Sequence, residues 1–204
     1  MIFALLNDIL QRILTFNKWD QKRYLRRWVS ALKLSPGSRV LDFGCGTGLF
    51  EVVFRRLGLS YVGYDIEPRL TKYASMLYRR SAFTHELGTQ SIPFDLVVAN
   101  CCFHHISDEG IDQELDRLKK KMTRQGRFLL IDLLLPTVKP GWIRRQFLKL
   151  ERGAHVRPTE AYRKLIEKHF VVLQAGQERS NVFSLPGNPA YNDLCVLLCA
   201  VKDA

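Results

Sequence analysis

The sequence has few cysteines, and none of them is spaced as a metal site requires. Five cysteines occur among 204 residues, an odd number, and no two have the Cys-x-x-Cys spacing. This absence excludes a zinc ribbon or finger and predicts that the protein holds no metal. The thiols stand in apolar segments, which is typical of reduced, buried cysteines in a cytoplasmic protein.

The chain also lacks a long apolar run, an internal repeat and a Pro/Ser-rich linker. These absences exclude a membrane-spanning helix, a repeat architecture and two domains on a linker. We therefore expect one domain over residues 1–204, with N-terminal helices in 1–34 and a core in 38–201. Residues 1–16 are apolar at helical spacing, so they predict an amphipathic helix. We favour docking of this helix on the protein over a weak membrane-surface contact.

Acidic residues are scarce relative to basic ones. Twenty Asp and Glu against 31 Lys and Arg give a net charge of +11, a balance that would suit a nucleic-acid partner. The basic residues are scattered, however, and the largest cluster is Lys119–Lys121. No nucleic-acid recognition module occurs, so we expect no specific nucleic-acid site.

Three alternate glycines follow an apolar segment in the first quarter of the chain. Residues 39–43 predict a buried strand, and apolar residues then recur at helical spacing from Leu49 to Leu57. Glycine has no Cβ, so the backbone can turn tightly and approach a ligand closely where the strand gives way to the helix. The spacing therefore predicts a loop that binds a nucleotide-type cofactor.

The residues around the glycines decide which cofactor is favoured. A dinucleotide fingerprint has a third glycine where Leu49 stands and an apolar residue where Asp42 stands. The pattern Asp-x-Gly-x-Gly-x-Gly instead resembles motif I of the class I S-adenosylmethionine-dependent methyltransferases. A carboxylate here suits a cofactor with an ammonium and a sulfonium. The resemblance implies S-adenosylmethionine as the cofactor and, as its ligands, Asp42, Gly44, Cys45, Gly46 and Gly48.

A second strand, residues 60–65, ends in a carboxylate 17 residues after Gly48. This distance is close to the ~20-residue spacing of a ribose-binding acid in a βαβ unit. Asp65 is therefore the predicted ligand of the ribose hydroxyls, because a carboxylate can accept a hydrogen bond from each of them. Ile66, the next residue, is expected at the same site.

Strand and helix patterns continue to alternate after Asp65, which predicts an α/β fold with a parallel sheet. In the family that the chain resembles, this is a Rossmann-like, doubly wound sheet of about seven strands with an antiparallel closing strand. Asp108 is the predicted cap of a helix that runs through Met122 and ends at Gly126. The later strands are predicted at residues 82–87, 94–100, 127–133, 170–178 and 193–201.

The candidate reacting centre lies at the end of the fourth predicted strand. Ligands of open parallel sheets bind at the carboxyl ends of the strands, so Asn100 and Cys101 are predicted cofactor contacts. The segment Phe-His-His-Ile follows directly. We predict that His104 faces the acceptor as general base, and that His105 is structural, packing or capping the next helix.

The function that these patterns predict is methyl transfer to a small-molecule acceptor, lipid-like or anionic, by in-line displacement. Two alternatives stay open. One is a nucleic-acid-modifying or nucleic-acid-binding protein that uses the basic surface. The other is a catalytically inactive methyltransferase fold that serves as an interaction module. The sequence does not decide the oligomeric state.

Overall fold

The computed structural model describes residues 18–89, 91–135, 155–181 and 191–202. The predicted N-terminal helix in residues 1–16 lies outside the described residues. In chain order the elements are α1 Lys18–Ala31, β1 Arg39–Phe43, α2 Glu51–Arg56, β2 Ser60–Tyr64, α3 Pro68–Leu77, β3 Ala82–Thr84, β4 Phe94–Asn100, α4 Asp108–Lys119, β5 Met122–Leu133, α5 Thr159–Glu167, β6 Phe170–Asn181 and β7 Tyr191–Val201.

The seven strands form one sheet with the order β3-β2-β1-β4-β5-β7-β6. Strands β1 to β5 pair in parallel. Strand β7 runs antiparallel to both β5 and β6, which confirms the predicted closing strand. Strand β6 therefore points the same way as β5, so the end of β6 and the start of β7 lie at the edge where the parallel strands end.

Alternation along the strands divides the interior into two cores. In β4, Leu96 and Val98 pack on the face that α1 and α2 cover, whereas Val97 and Ala99 pack under α4 and α5. Successive side chains of a strand point to opposite faces. A strand covered on both faces is therefore apolar throughout, as the sequence is here. The doubly wound α/β class is thereby confirmed.

Two predicted boundaries around α4 are wrong. The helix is capped by Ser107, whose Oγ accepts a hydrogen bond from the Gly110 amide at 3.2 Å, and Asp108 is its first residue. The helix ends at Lys119, and both Met122 and Gly126 belong to β5. Met122 lies on the sheet, but its side chain packs in the same core as the apolar face of α4. It therefore looks in the sequence like one more apolar position of the helix. Periodicity could not separate the two elements.

Strand β3 is also shorter than predicted, because residues 87–89 form a 3-10 turn. The strands β6 and β7 are longer than predicted at the ends that face the cavity described below.

Candidate active site

The glycine loop leaves β1 and is tied at once to the end of β2. The amides of Gly44 and Cys45 both donate to the Tyr64 carbonyl, at 2.8 and 2.9 Å. Gly44, Gly46 and Gly48 have φ values of 75°, 54° and 75°, a region that L residues avoid. A Cβ on Gly44 would also lie 2.6 Å from the Cβ of Cys102. Position 44 therefore requires glycine for both reasons.

Asp65 holds this loop from the end of β2. Its carboxylate accepts hydrogen bonds from the Gly46 amide at 2.8 Å and the Glu67 amide at 3.0 Å. Burial raises the pKa of Asp65, and the two backbone donors oppose that rise. A carboxylate offers about four acceptor sites, so two amide bonds leave capacity for ribose hydroxyls. The neighbouring Ile66 is 81% exposed.

Asp42 lies beneath the loop. It is 2% exposed, and its carboxylate accepts a hydrogen bond from the Tyr61 hydroxyl at 2.8 Å. Burial raises the pKa of Asp42 from 3.8 to about 7, although the Tyr61 bond lowers it. Gly48 likewise lies away from the opening, since a Cβ there would meet the ring of Phe83 at 2.7 Å. Neither residue lines the cavity described next.

A cavity opens at the carboxyl edge of the sheet and brings several predicted residues together. It is lined by Gln21, Gly44, Cys45, Gly46, Leu49, Phe50, Asn100, Cys101, His104, His105, Leu133, Ser180, Asn192 and Leu194. Six predicted site residues are therefore in one place, whereas Asp42, Gly48, Asp65 and Ile66 are not part of the lining. Among the described residues, no Asp, Glu, Lys or Arg lines this cavity, in contrast to the basic chain as a whole.

Asn100 and Cys101 form the floor of the cavity where β4 ends. Cys101 has a positive φ of 53° and donates its amide to the Ile131 carbonyl at 2.8 Å. Asn100 is 6% exposed, and neither atom of its side-chain amide has a hydrogen-bond partner among the described residues. A buried amide without partners is costly, so the floor of the cavity is suited to a polar ligand.

His104 is held by a carboxylate that the sequence analysis missed. Its Nδ1 lies 2.5 Å from Asp132 Oδ1, and the two side chains are 2% and 0% exposed. Asp132 also accepts the amides of Phe103 at 2.7 Å and Leu133 at 2.7 Å. A carboxylate on Nδ1 fixes the orientation of an imidazole. The signal in the sequence was a single Asp inside the apolar run of β5.

His105 differs from the prediction. Its side chain is exposed at the cavity instead of packed in the core, and it does not cap α4. Its ring lies beside that of His104, with centroids 4.1 Å apart. The 3-10 turn at residues 103–105 explains the difference, because it turns the first histidine inward and leaves the second outside.

Arg157, also missed from sequence, braces the segment that carries His104. The guanidinium donates to the carbonyls of Phe103 at 3.2 Å and Ile106 at 2.8 Å, and to Asp108 Oδ1 at 2.8 Å. Its side chain is 7% exposed. A planar group with five donors can hold several acceptors in fixed positions. Arg157 therefore joins the loop after β4 to the start of α5.

Comparisons with known proteins assign the chain to a family. A family model described as a methyltransferase domain matches residues 16–169, which is more than half of the chain. The chain belongs to this methyltransferase-domain family.

Relatives with curated descriptions match parts of the chain. An uncharacterized methyltransferase of Synechocystis is 25% identical over 63% of this chain and 63% of its own length. A ribosomal protein L11 methyltransferase of Cupriavidus taiwanensis is 35% identical over 38% of this chain and 28% of its own length. A ubiquinone biosynthesis O-methyltransferase of Xanthomonas campestris is 32% identical over 40% and 38%. The chain spans less than two thirds of the length of each.

Solved structures share the fold. Magnesium protoporphyrin IX methyltransferase from Synechocystis, solved with bound S-adenosylmethionine, superposes with a TM-score of 0.63 at 17% identity, over 89% of this chain and 78% of that one. A TehB-like S-adenosylmethionine-dependent methyltransferase from Corynebacterium glutamicum has a TM-score of 0.58 at 19% identity, over 87% and 86%.

The described residues contain neither a candidate membrane-spanning helix nor a candidate metal-binding cluster. No helix among them is long and apolar enough to cross a membrane. No group of three or more His, Cys, Asp or Glu side chains in the same ranges could hold a metal ion.

Proposed function

We propose that this chain methylates a hydroxyl group of a small, largely uncharged acceptor, with His104 as the general base. The observation that carries the proposal is the buried His104–Asp132 pair, whose histidine lines the same cavity as the glycine loop and Asn100. Proton removal is useful when a hydroxyl is the nucleophile, because an alcohol or phenol attacks poorly while protonated.

The residues present fit the cofactor that the family implies. The turned backbone of Gly44 to Gly46 and the unpartnered amide of Asn100 offer close approach and hydrogen bonds to the methionine part. The carboxylate of Asp65 would accept the ribose hydroxyls, and Asp42 would supply negative charge from beneath the loop. When bound, S-adenosylmethionine supplies an electrophilic methyl group on a sulfonium.

The chain's own part in the chemistry centres on one imidazole. Asp132 binds Nδ1, so Nε2 is the ring atom that takes the hydroxyl proton of the acceptor. Asp132 stabilises the imidazolium that forms, as a buried carboxylate does beside a histidine base. The Asp132 carboxylate is itself fixed by backbone amides, and Arg157 holds the loop. The base is thereby oriented before the acceptor arrives.

The lining favours the lipid-like acceptor over the anionic one. Leu49, Phe50, Leu133 and Leu194 give the cavity apolar walls, and no lysine or arginine among the described residues faces it. An anionic group would lose its hydration there without gaining a cation. The Xanthomonas relative is named as an O-methyltransferase, which agrees with a hydroxyl acceptor. The five cysteines, none in a disulfide, support a cytoplasmic location.

The proposal is tested by finding where the methyl group goes. Purified protein is incubated with S-adenosylmethionine labelled in the methyl carbon and with a cell extract divided into small-molecule, protein and nucleic-acid fractions. We expect label in the small-molecule fraction, in a form stable to mild base as a methyl ether is. Label confined to protein or RNA would contradict the proposal.

A further inference from the structure

The far wall of the cavity carries a second buried amide that the proposed chemistry does not use. Asn192 is the second residue of β7, at the end that faces the cavity. It is 6% exposed, and its Oδ1 is buried without a hydrogen-bond partner among the described residues. Ser180, 5% exposed, pairs with it across the β6–β7 ladder. Both residues line the cavity with His104.

The position of Asn192 separates it from the cofactor residues. Asn100 ends β4, and Asn192 lies on β7, two strands further along the sheet order. Neighbouring strands are about 4.8 Å apart, so the two columns are separated by roughly 10 Å. The glycine loop lies on the other side of β4, next to β2. Asn192 is therefore on the acceptor side of the cavity.

An amide oxygen accepts hydrogen bonds and does not donate them. A ligand that meets Asn192 Oδ1 must therefore bring a donor. The hydroxyl of Ser180 and the amide of Gln21, from the first turn of α1, can complete a neutral polar wall around the same group. Carboxylate and ammonium ligands would find no opposite charge in this wall, whereas a hydroxyl can both donate and accept.

We propose that Gln21, Ser180 and Asn192 form a recognition subsite for a second hydroxyl of the acceptor, one that is not methylated. This inference rests on the proposed function, because it requires the cofactor to bind beside the glycine loop and the end of β4. Asn192 is its specificity-determining residue. The acceptor class is then an uncharged molecule with an apolar body and at least two hydroxyl groups.

The test uses three pairs of phenols as probes: 4-methylphenol with 4-(hydroxymethyl)phenol, 4-ethylphenol with 4-(2-hydroxyethyl)phenol, and 4-propylphenol with 4-(3-hydroxypropyl)phenol. Each pair differs by one hydroxyl, placed further from the ring in each successive pair. Dissociation constants are measured on the full chain saturated with S-adenosylhomocysteine. We expect at least one hydroxylated probe to bind about 10-fold or more tightly than its partner, because a site built for a hydroxyl rejects an analogue that lacks it.

The variant Asn192→Leu, similar in size and without the amide, should abolish that preference and leave the affinity for S-adenosylhomocysteine unchanged. Gln174→Leu, on an exposed position of β6 away from the cavity, is the matched control and should retain the preference. Equal binding within every pair, or no binding by any probe, would overturn the subsite. Failure of the wild-type chain to bind S-adenosylhomocysteine would instead count against the proposed function.

Discussion

The two sides of the cavity are built from different material. On the side of β1, β2 and β4, a ligand would meet chiefly backbone: Gly44 and Gly46, which have positive φ, and amides fixed by Tyr64 and Asp65. On the side of β5, β6 and β7, it meets side chains, chiefly His104 on Asp132 with Ser180 and Asn192 opposite. We call these the cofactor side and the acceptor side.

We infer from this difference that the two sides have different roles. A backbone site cannot be changed by substituting a side chain without disturbing the loop itself, so it suits a ligand that does not vary. A side-chain site can change its hydrogen-bonding groups one residue at a time. We therefore expect substitutions on the acceptor side to alter rate and selectivity, and substitutions on the cofactor side to alter affinity and stability.

The largest expected effect comes from His104→Gln on the acceptor side. Loss of the base should lower the rate of methyl transfer by about 10²- to 10⁴-fold, the usual contribution of general base catalysis. Affinity for S-adenosylmethionine should stay the same, and the rate should no longer fall as the pH is lowered. Single-turnover kinetics over a pH series measures both. The control is His85→Gln, an exposed histidine outside the cavity.

Should His104→Gln match the wild-type rate at every pH, the acceptor side would work by positioning alone. The contrast between the two sides would then concern binding only.

The next effect is a pH dependence on the cofactor side. Burial raises the pKa of Asp42 from 3.8 to about 7 in the folded chain. The folded state therefore binds more protons than the unfolded state between about pH 4 and 7, so the free energy of unfolding falls as the pH rises through this window. Asp42→Asn should remove that fall and raise the free energy of unfolding at pH 8 by up to about 4 kcal/mol.

Urea denaturation of both proteins between pH 5 and 8, without ligand, checks this. Asparagine can still accept the Tyr61 hydroxyl, which limits the change to the charge. An Asp42→Asn curve that still falls with pH as steeply as the wild type would show that another group is responsible.

Gly44→Ala should have an effect of similar size but opposite sign on stability, again from the cofactor side. The new Cβ combines a positive φ with a 2.6 Å approach to Cys102, which costs about 2 to 5 kcal/mol together. The matched control is Gly88→Ala, because a Cβ there meets nothing within 4 Å. Denaturation should show a large loss for the first variant and less than about 0.5 kcal/mol for the second. Equal losses would mean that the loop is not a tightly built site.

The same contrast explains what could be predicted from the sequence. The cofactor side depends on residues closer together in the chain, so alternate glycines and a strand-end Asp65 were enough to predict a turned loop beside a carboxylate. The acceptor side depends on contacts between residues that are more distant in sequence, such as His104 with Asp132. No local pattern specifies such pairs. Arg157 was missed for this reason, since three of its acceptors lie about 50 residues earlier.

Prediction from local patterns also failed where a helix and the strand after it share one apolar spacing. The apolar spacing of α4 continues into Met122 of β5, so the helix was predicted too long. The role predicted for His105 was wrong for a related reason. A 3-10 turn decides which ring is buried, and the sequence Phe-His-His-Ile does not specify that turn.

The smallest expected effect concerns the exterior of the protein rather than either side of the cavity. The net charge of +11 should give weak binding to RNA or DNA that is lost by roughly 0.2 M salt, as counterion release requires. Filter binding at rising salt checks this prediction. Sequence-dependent nanomolar binding that persisted at this salt would mean that the basic surface is a functional site.

The most direct test of the account is a calorimetric titration of the unmodified chain with S-adenosylhomocysteine, with NAD as the competing dinucleotide. We predict saturable one-to-one binding of S-adenosylhomocysteine, a higher melting temperature in its presence, and no binding of NAD. Tight binding of NAD with none of S-adenosylhomocysteine would contradict it.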